Sequence, residues 1–209
     1  YPVRATDCGF EVAIHHKAGG VGELSDYWGN TYFDDVYYVN NEPKPFNLSE
    51  IKKILKALQP PYKEFYQFAF YTGLRTGELL GLRWEDVDIE KEVAHIRVNI
   101  TSGKEKSPKT AGSIRTVELH AKALDALLSL RKSKFFDSKR VFIDPRTMKE
   151  YKYADRLRKY TWKPTLEKLN IPYRYPYQCR HTYASMMLSS GKKPMWVARQ
   201  MGHSDWGND

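Results

Sequence analysis

Cysteine is almost missing from this sequence: Cys8 and Cys179 are the only two, and they stand far apart. That excludes a disulfide framework. With no Cys-x-x-Cys pair it also excludes a thiol-built zinc framework, and a reduced, intracellular setting is the expectation. No apolar run approaches the roughly 20 residues that cross a bilayer, so no membrane partner is expected. No signal peptide opens the chain. The first residue is Tyr1 rather than an initiator Met, so a processed or partial chain is expected. Carboxylates at metal-ligand spacing are lacking, which disfavours a metal-dependent nuclease. His15-His16 has no further ligand at a useful spacing and reads as a solvated or tag-like pair. Neither a metal nor any other cofactor is expected.

Acid is the scarcer charge. Against 34 Lys and Arg stand 25 Asp and Glu, a formal net charge of +9. A polyanion is the natural partner, DNA or RNA before a membrane surface. At 41% hydrophobic, the 209 residues can bury a core as one large domain or a domain with an appendage.

Residues 1–43 show no sustained apolar period, and Gly19, Gly20, Gly22 and Gly29 interrupt any helix. They are expected to form an N-terminal extension, a partial DNA-binding segment or a linker. Residues 44–209 are expected to form the main domain. Asn47-Leu48-Ser49-Glu50 has the form of a capping box, and Ile51, Ile54, Leu55 and Leu58 follow at helical spacing until Pro60-Pro61. Further helices are predicted over 63–71, with Gly73 as its stop, and over 75–83. One strand pattern lies within Val87–Ile100, with Ile96, Val98 and Ile100 on one face, and a second strand at Ile114–Leu119. A basic polar turn separates them. A helix over 121–131, a short extended piece at 141–143, two short helices within 153–169 broken near Pro164, and a helix from about His181 to Leu188 with Met186, Met187 and Leu188 in the core come next. Gly191 ends that helix, and a last one is opened by Pro194 and closed by Gly202. Helices, a small hairpin sheet, then helices make a mainly helical α+β domain.

Three blocks carry chemistry. The first runs Thr72-Gly73-Leu74-Arg75-Thr76-Gly77-Glu78-Leu79-Leu80-Gly81-Leu82-Arg83-Trp84-Glu85-Asp86-Val87-Asp88. The second is Tyr177-Gln178-Cys179-Arg180-His181-Thr182-Tyr183-Ala184-Ser185, and the third Met201-Gly202-His203-Ser204-Asp205. Arg75 stands at a helix start, where backbone N–H groups also favour anions. A phosphodiester cut without a metal concentrates negative charge on its non-bridging oxygens, and planar guanidinium groups match those oxygens with paired hydrogen bonds. Glu78, three residues after Arg75, falls on the same helical side and can orient an arginine.

In this order, with a basic hairpin between the first two, the blocks resemble the catalytic domain of the tyrosine recombinases, the phage-integrase family, over residues 44–209. The resemblance implies a mainly helical α+β fold with a small antiparallel β-hairpin sheet. It makes Arg75 and Arg180 the two arginines that clamp the scissile phosphate. Lys109, in Pro108-Lys109-Thr110, matches the hairpin lysine that protonates the leaving 5′ oxygen, and His203 the third-block histidine. The family usually has His three residues before its second arginine; here that place is held by Tyr177, whose phenol, with a pKa of about 10, donates a hydrogen bond but is a poor base. The nucleophilic tyrosine should follow the Gly-His pair by roughly nine or ten residues. No tyrosine of these 209 residues stands there, so the chain is expected to be an active-site scaffold without its nucleophile, inactive by itself. Tyr183, one turn past Arg180, is better explained by packing.

The implied activity is site-specific recombination or integration through a 3′-phosphotyrosyl intermediate. It would take place on double-stranded DNA as a homotetramer, with accessory DNA-bending proteins, in the cytoplasm of a bacterial or phage-infected cell. Two rivals stay open: a non-catalytic DNA-binding relative that keeps the arginines as phosphate contacts, and a topoisomerase-like strand-passage enzyme with the same clamp.

Overall fold

The computed structural model describes residues 2–5, 10–13, 24–25, 31–32, 43–106 and 114–202. Near the start, β1 (Pro2–Ala5) pairs antiparallel with β2 (Phe10–Ala13), and β3 (Leu24–Ser25) with β4 (Thr31–Tyr32). Among the described residues no helix is long and apolar enough to cross a membrane.

Helix α1 (Leu48–Ala57) begins as its sequence dictates. The Asn47 side chain accepts from the Glu50 N–H, and the Glu50 carboxylate accepts from the Asn47 N–H, both at 2.9 Å. The central helix is α2 (Tyr62–Thr72), which buries Phe65, Tyr66, Phe68, Ala69 and Phe70. It packs on α4 (Ala121–Arg131), through Ala123, Ala126, Leu127 and Leu130, and on α7 (Gln178–Ser189). A helix enclosed on this many sides has apolar residues around most of its girth rather than along one stripe.

Phe46, Tyr66, Phe70 and Trp162 make an aromatic knot. Tyr66 stacks on Trp162 at 4.6 Å, and Phe46 meets the Phe70 and Trp162 rings edge-on at 5.6 and 5.5 Å. Trp162 closes a π-turn, Arg158–Trp162, between α5 (Asp155–Leu157) and α6 (Lys163–Lys168). The expected break near Pro164 is therefore absent. Pro164 sits in the first turn of α6, and the wider turn before it accommodates a ring that cannot donate and would crowd the preceding carbonyl.

A three-stranded antiparallel sheet has the order β5 (Val87–Asp88), β6 (Val93–Ile96), β9 (Arg115–Glu118). The single strand expected within Val87–Ile100 is in fact several pieces. After β6 the chain leaves the sheet, and β7 (Asn99–Thr101) forms a separate hairpin with β8 (Lys104–Lys106). The cause is α3 (Thr76–Gly81), which draws this stretch onto itself. A Cβ on Gly81 would lie 2.5 Å from the Val98 carbonyl, and one on Gly77 2.6 Å from that of Ile100. Two glycines four residues apart thus open one face of α3 to another backbone. Helix α3 is also shorter than the 75–83 expected: Leu82 is extended, and Arg83 bridges to Arg140. A last hairpin joins β10 (Ile143–Asp144) to β11 (Lys149–Glu150).

Helix α7 starts three residues before the expected His181, which places Arg180 in its first turn. Met186, Met187 and Leu188 are half-buried rather than core; Met186 packs on the main core and the other two on a smaller one. That smaller core consists of Tyr183, Ala184, Val197 and Met201, and seats α8 (Pro194–Met201). Gly202 ends α8 in the left-handed conformation, φ 71°.

Candidate functional site

A chain reversal at Gly73 sets the site. Gly73 closes α2 with φ 64°, and the Tyr183 ring packs so closely on it that a Cβ would meet Cδ1 at 2.5 Å. Arg75 follows two residues later as the N-cap of α3, in extended backbone. Its N–H donates to Glu78 Oε2 and its Nη1 to Glu78 Oε1, both at 2.9 Å. Glu78 is therefore no surface carboxylate; it is 5% exposed.

The second partner of Glu78 comes from β9. Arg115 donates Nη1 to Oε1 and Nη2 to Oε2, both at 2.9 Å, in a fork-to-fork pair. Burial alone would raise the Glu78 pKa, but the Arg115, Arg75 and Arg180 charges outweigh it and bring it down to about 2.

Arg180 arrives from α7 and is 2% exposed. Its Nη1 donates to the Gly73 carbonyl at 2.6 Å and its Nη2 to that of Met201 at 2.7 Å. Burial lowers its pKa to about 10, so it remains a cation at neutral pH. Arg75 Nη2 reaches the Gly202 carbonyl at 3.3 Å, and Arg115 Nε that of Gln200 at 2.8 Å. Three consecutive carbonyls at the end of α8 thus each accept from a different arginine. These are oxygens that a helix end leaves without partners and that carry its partial negative charge. Three guanidinium groups gather around one carboxylate, leaving positive charge in excess, the electrostatics of an oxyanion site.

Tyr177 is the N-cap of α7, close enough to Arg180 to act on its charge. The Tyr177 ring meets the His181 ring edge-on, centroids 5.2 Å apart. Burial and then the Arg180 charge lower the His181 pKa to about 4, so that imidazole is neutral near pH 7.

Of the sequence-predicted residues, Arg75, Glu78 and Arg180 are brought together and Tyr177 stands beside them. Lys109 and His203 lie outside the described residues. Arg115 was missed. The signal for it was present: alternation within β9 puts Arg115 on the face of Val117, which is wholly buried, and a charge on a buried face demands a partner.

Residues 45–207 match the phage integrase family. The chain is 34% identical to the prophage integrase IntR of Escherichia coli K12, over 78% of this chain and 45% of that protein. It is 32% identical to a XerC-like tyrosine recombinase of Caldanaerobacter subterraneus subsp. tengcongensis, over 80% of this chain and 49% of that one. The chain therefore spans about half the length of these curated relatives. Its fold is similar to that of the Tn1549 transposon integrase in complex with a circular intermediate DNA, with a TM-score of 0.68 and 20% identity, covering 81% of this chain and 61% of that one.

Proposed function

Because the chain belongs to the phage integrase family, the tyrosine recombinases, we propose that it serves site-specific DNA recombination of the kind that integrates a mobile element. DNA is cut and rejoined through a 3′-phosphotyrosyl link, which conserves the energy of the phosphodiester and needs no metal. The observation that carries this reading is the convergence of Arg75 and Arg180, from two separate helices, on one charge-rich point beside Glu78.

In this reading Arg75 and Arg180 bind the two non-bridging oxygens of the scissile phosphate and stabilise the charge that grows on them. Lys109 protonates the leaving 5′ oxygen, a contribution of about 10²–10⁴ in rate. His203, directly after the Gly202 that Arg75 holds, donates to a phosphoryl oxygen or positions the nucleophile. Tyr177 replaces the family histidine with a hydrogen-bond donor. The attacking tyrosine falls, by the family spacing, roughly nine or ten residues past the Gly-His pair, beyond Asp209. The partner is double-stranded DNA, bound by a homotetramer with the help of accessory DNA-bending proteins. Tyr177 also favours a second reading, a DNA-binding relative that does not cleave.

Covalent trapping tests both. The gene, expressed to its own stop codon, is incubated with fragmented host and element DNA and quenched with detergent. Recovered protein–DNA adducts are then mapped to a peptide. An adduct on a tyrosine past Asp209 is the expected result; DNA binding with no adduct selects the second reading.

A further inference from the structure

We propose that Arg115 is a positioning residue of this phosphate site: it sets Arg75 through Glu78, and it holds the end of α8 in place when a phosphate takes over the other two arginines. The proposal rests on the recombination reading given above.

The argument starts from what each guanidinium touches. Both Glu78 oxygens are shared. Oε1 accepts from Arg75 Nη1 and Arg115 Nη1, and Oε2 from the Arg75 N–H and Arg115 Nη2, all at 2.9 Å. The carboxylate that orients Arg75 is thus itself oriented from the opposite side by Arg115. Arg75 and Arg180 each reach the α8 end through Nη2, at 3.3 and 2.7 Å, and these are the contacts an incoming phosphate oxygen would replace. Arg115 differs. Its Nη1, Nη2 and Nε are all engaged within the protein, on Glu78 and on the Gln200 carbonyl. Nothing in the phosphate's chemistry displaces those partners.

The end of α8 also lies directly on Arg115. A Cβ on Gly202 would meet Arg115 Nη1 at 2.7 Å and Cζ at 2.8 Å. Gly202 leads straight to His203, and Arg115 stands six residues after Lys109 in the sequence. One planar group therefore touches the helix end that leads to His203, as well as the carboxylate behind Arg75. Lysine would keep the charge but present a point donor, unable to grip Glu78 with a fork and the Gln200 carbonyl together.

Arg115→Lys in the full-length protein, assayed on the DNA recovered by covalent trapping and nicked so that the adduct accumulates, separates positioning from stability. Single-turnover cleavage should fall by about 10²-fold, the scale of a small misplacement of reacting groups. Half-saturation by DNA should stay within about threefold, and the melting temperature within about 5 °C. Cleavage at the wild-type rate overturns the proposal. If Arg115→Lys does not fold, Gly202→Ala, which forces a methyl group into the guanidinium, should show the same loss with DNA affinity kept; wild-type cleavage there overturns it equally. If the wild-type protein binds DNA but forms no adduct, the recombination reading fails, and amide hydrogen exchange across residues 197–202 decides for Arg115 alone. Exchange about tenfold faster in Arg115→Lys, measured with inorganic phosphate present, supports the tether; unchanged exchange overturns it.

Discussion

Glu78 and Arg115 meet fork to fork across 37 residues of chain, with two parallel hydrogen bonds of 2.9 Å between groups that are both almost fully buried. The pair joins α3 to β9, and Arg75 is attached to its outer side.

Removing the carboxylate should therefore cost more than a surface ion pair would. Glu78→Ala leaves Arg115 and Arg75 as uncompensated charges in a buried site, and a loss of about 3–5 kcal/mol is expected, read by urea unfolding at neutral pH. A change below 1 kcal/mol would mean that Arg115 finds other partners.

Stability should also fall in acid in a way that this residue dictates. The Glu78 pKa is lowered from an ordinary 4.5 to about 2 in the folded protein. A depressed folded pKa stabilises fully above the unfolded value, and the contribution is lost as pH falls from about 4.5 towards 2. Urea midpoints measured across that window should drop in the wild type and change less in Glu78→Gln.

Gly73 and Tyr183 should respond in opposite directions. Gly73→Ala places a side chain at φ 64° and a Cβ 2.5 Å from the Tyr183 ring, so a loss of about 1–3 kcal/mol is expected. The Tyr183 hydroxyl is buried with no hydrogen-bond partner among the described residues. Tyr183→Phe should leave thermal stability unchanged or higher and any DNA adduct intact, because this tyrosine packs rather than attacks.

Arg180→Ala takes the Arg180 donors from the Gly73 and Met201 carbonyls and, on the proposed reading, removes one phosphate contact. Cleavage should fall by at least about 10²–10³. The slope of log affinity for DNA against log salt should become shallower by about 1. An unchanged slope with unchanged cleavage would remove Arg180 from the clamp.

Tyr177→His restores the residue usual in the family at this place. Adduct formation should speed up by about tenfold, with a new titration near the ordinary histidine pKa of about 6.5 in the pH–rate profile. Slower cleavage in that variant would show that the phenol is matched to its surroundings.

Local signals were legible in the sequence where local chemistry decides. The Asn47–Glu50 box, the glycines at 73, 191 and 202 and the even apolar spacing of 121–131 each settle a helix end or face within a few residues. Arg75 and Arg180 were legible because their flanking blocks are distinctive. The rest required distant contacts. The strand breaks at Arg97 and Val98 because α3 lies against it, and nothing within residues 87–100 encodes that approach. The helix runs on past Pro164 through the π-turn that ends at Trp162, whose ring lies in the aromatic knot. Arg115 was not singled out, because its partners, Glu78 and Gln200, lie far away in sequence.

The capping of α8 by three arginines has a meaning for assembly. Guanidinium groups brought this close repel one another, and an anion site left bare would resist its own formation. Here the carbonyl oxygens of Gln200, Met201 and Gly202 act as an internal counter-ion, alongside Glu78. The cluster is neutralised in part by its own chain, so the protein can complete its fold before any external anion reaches it.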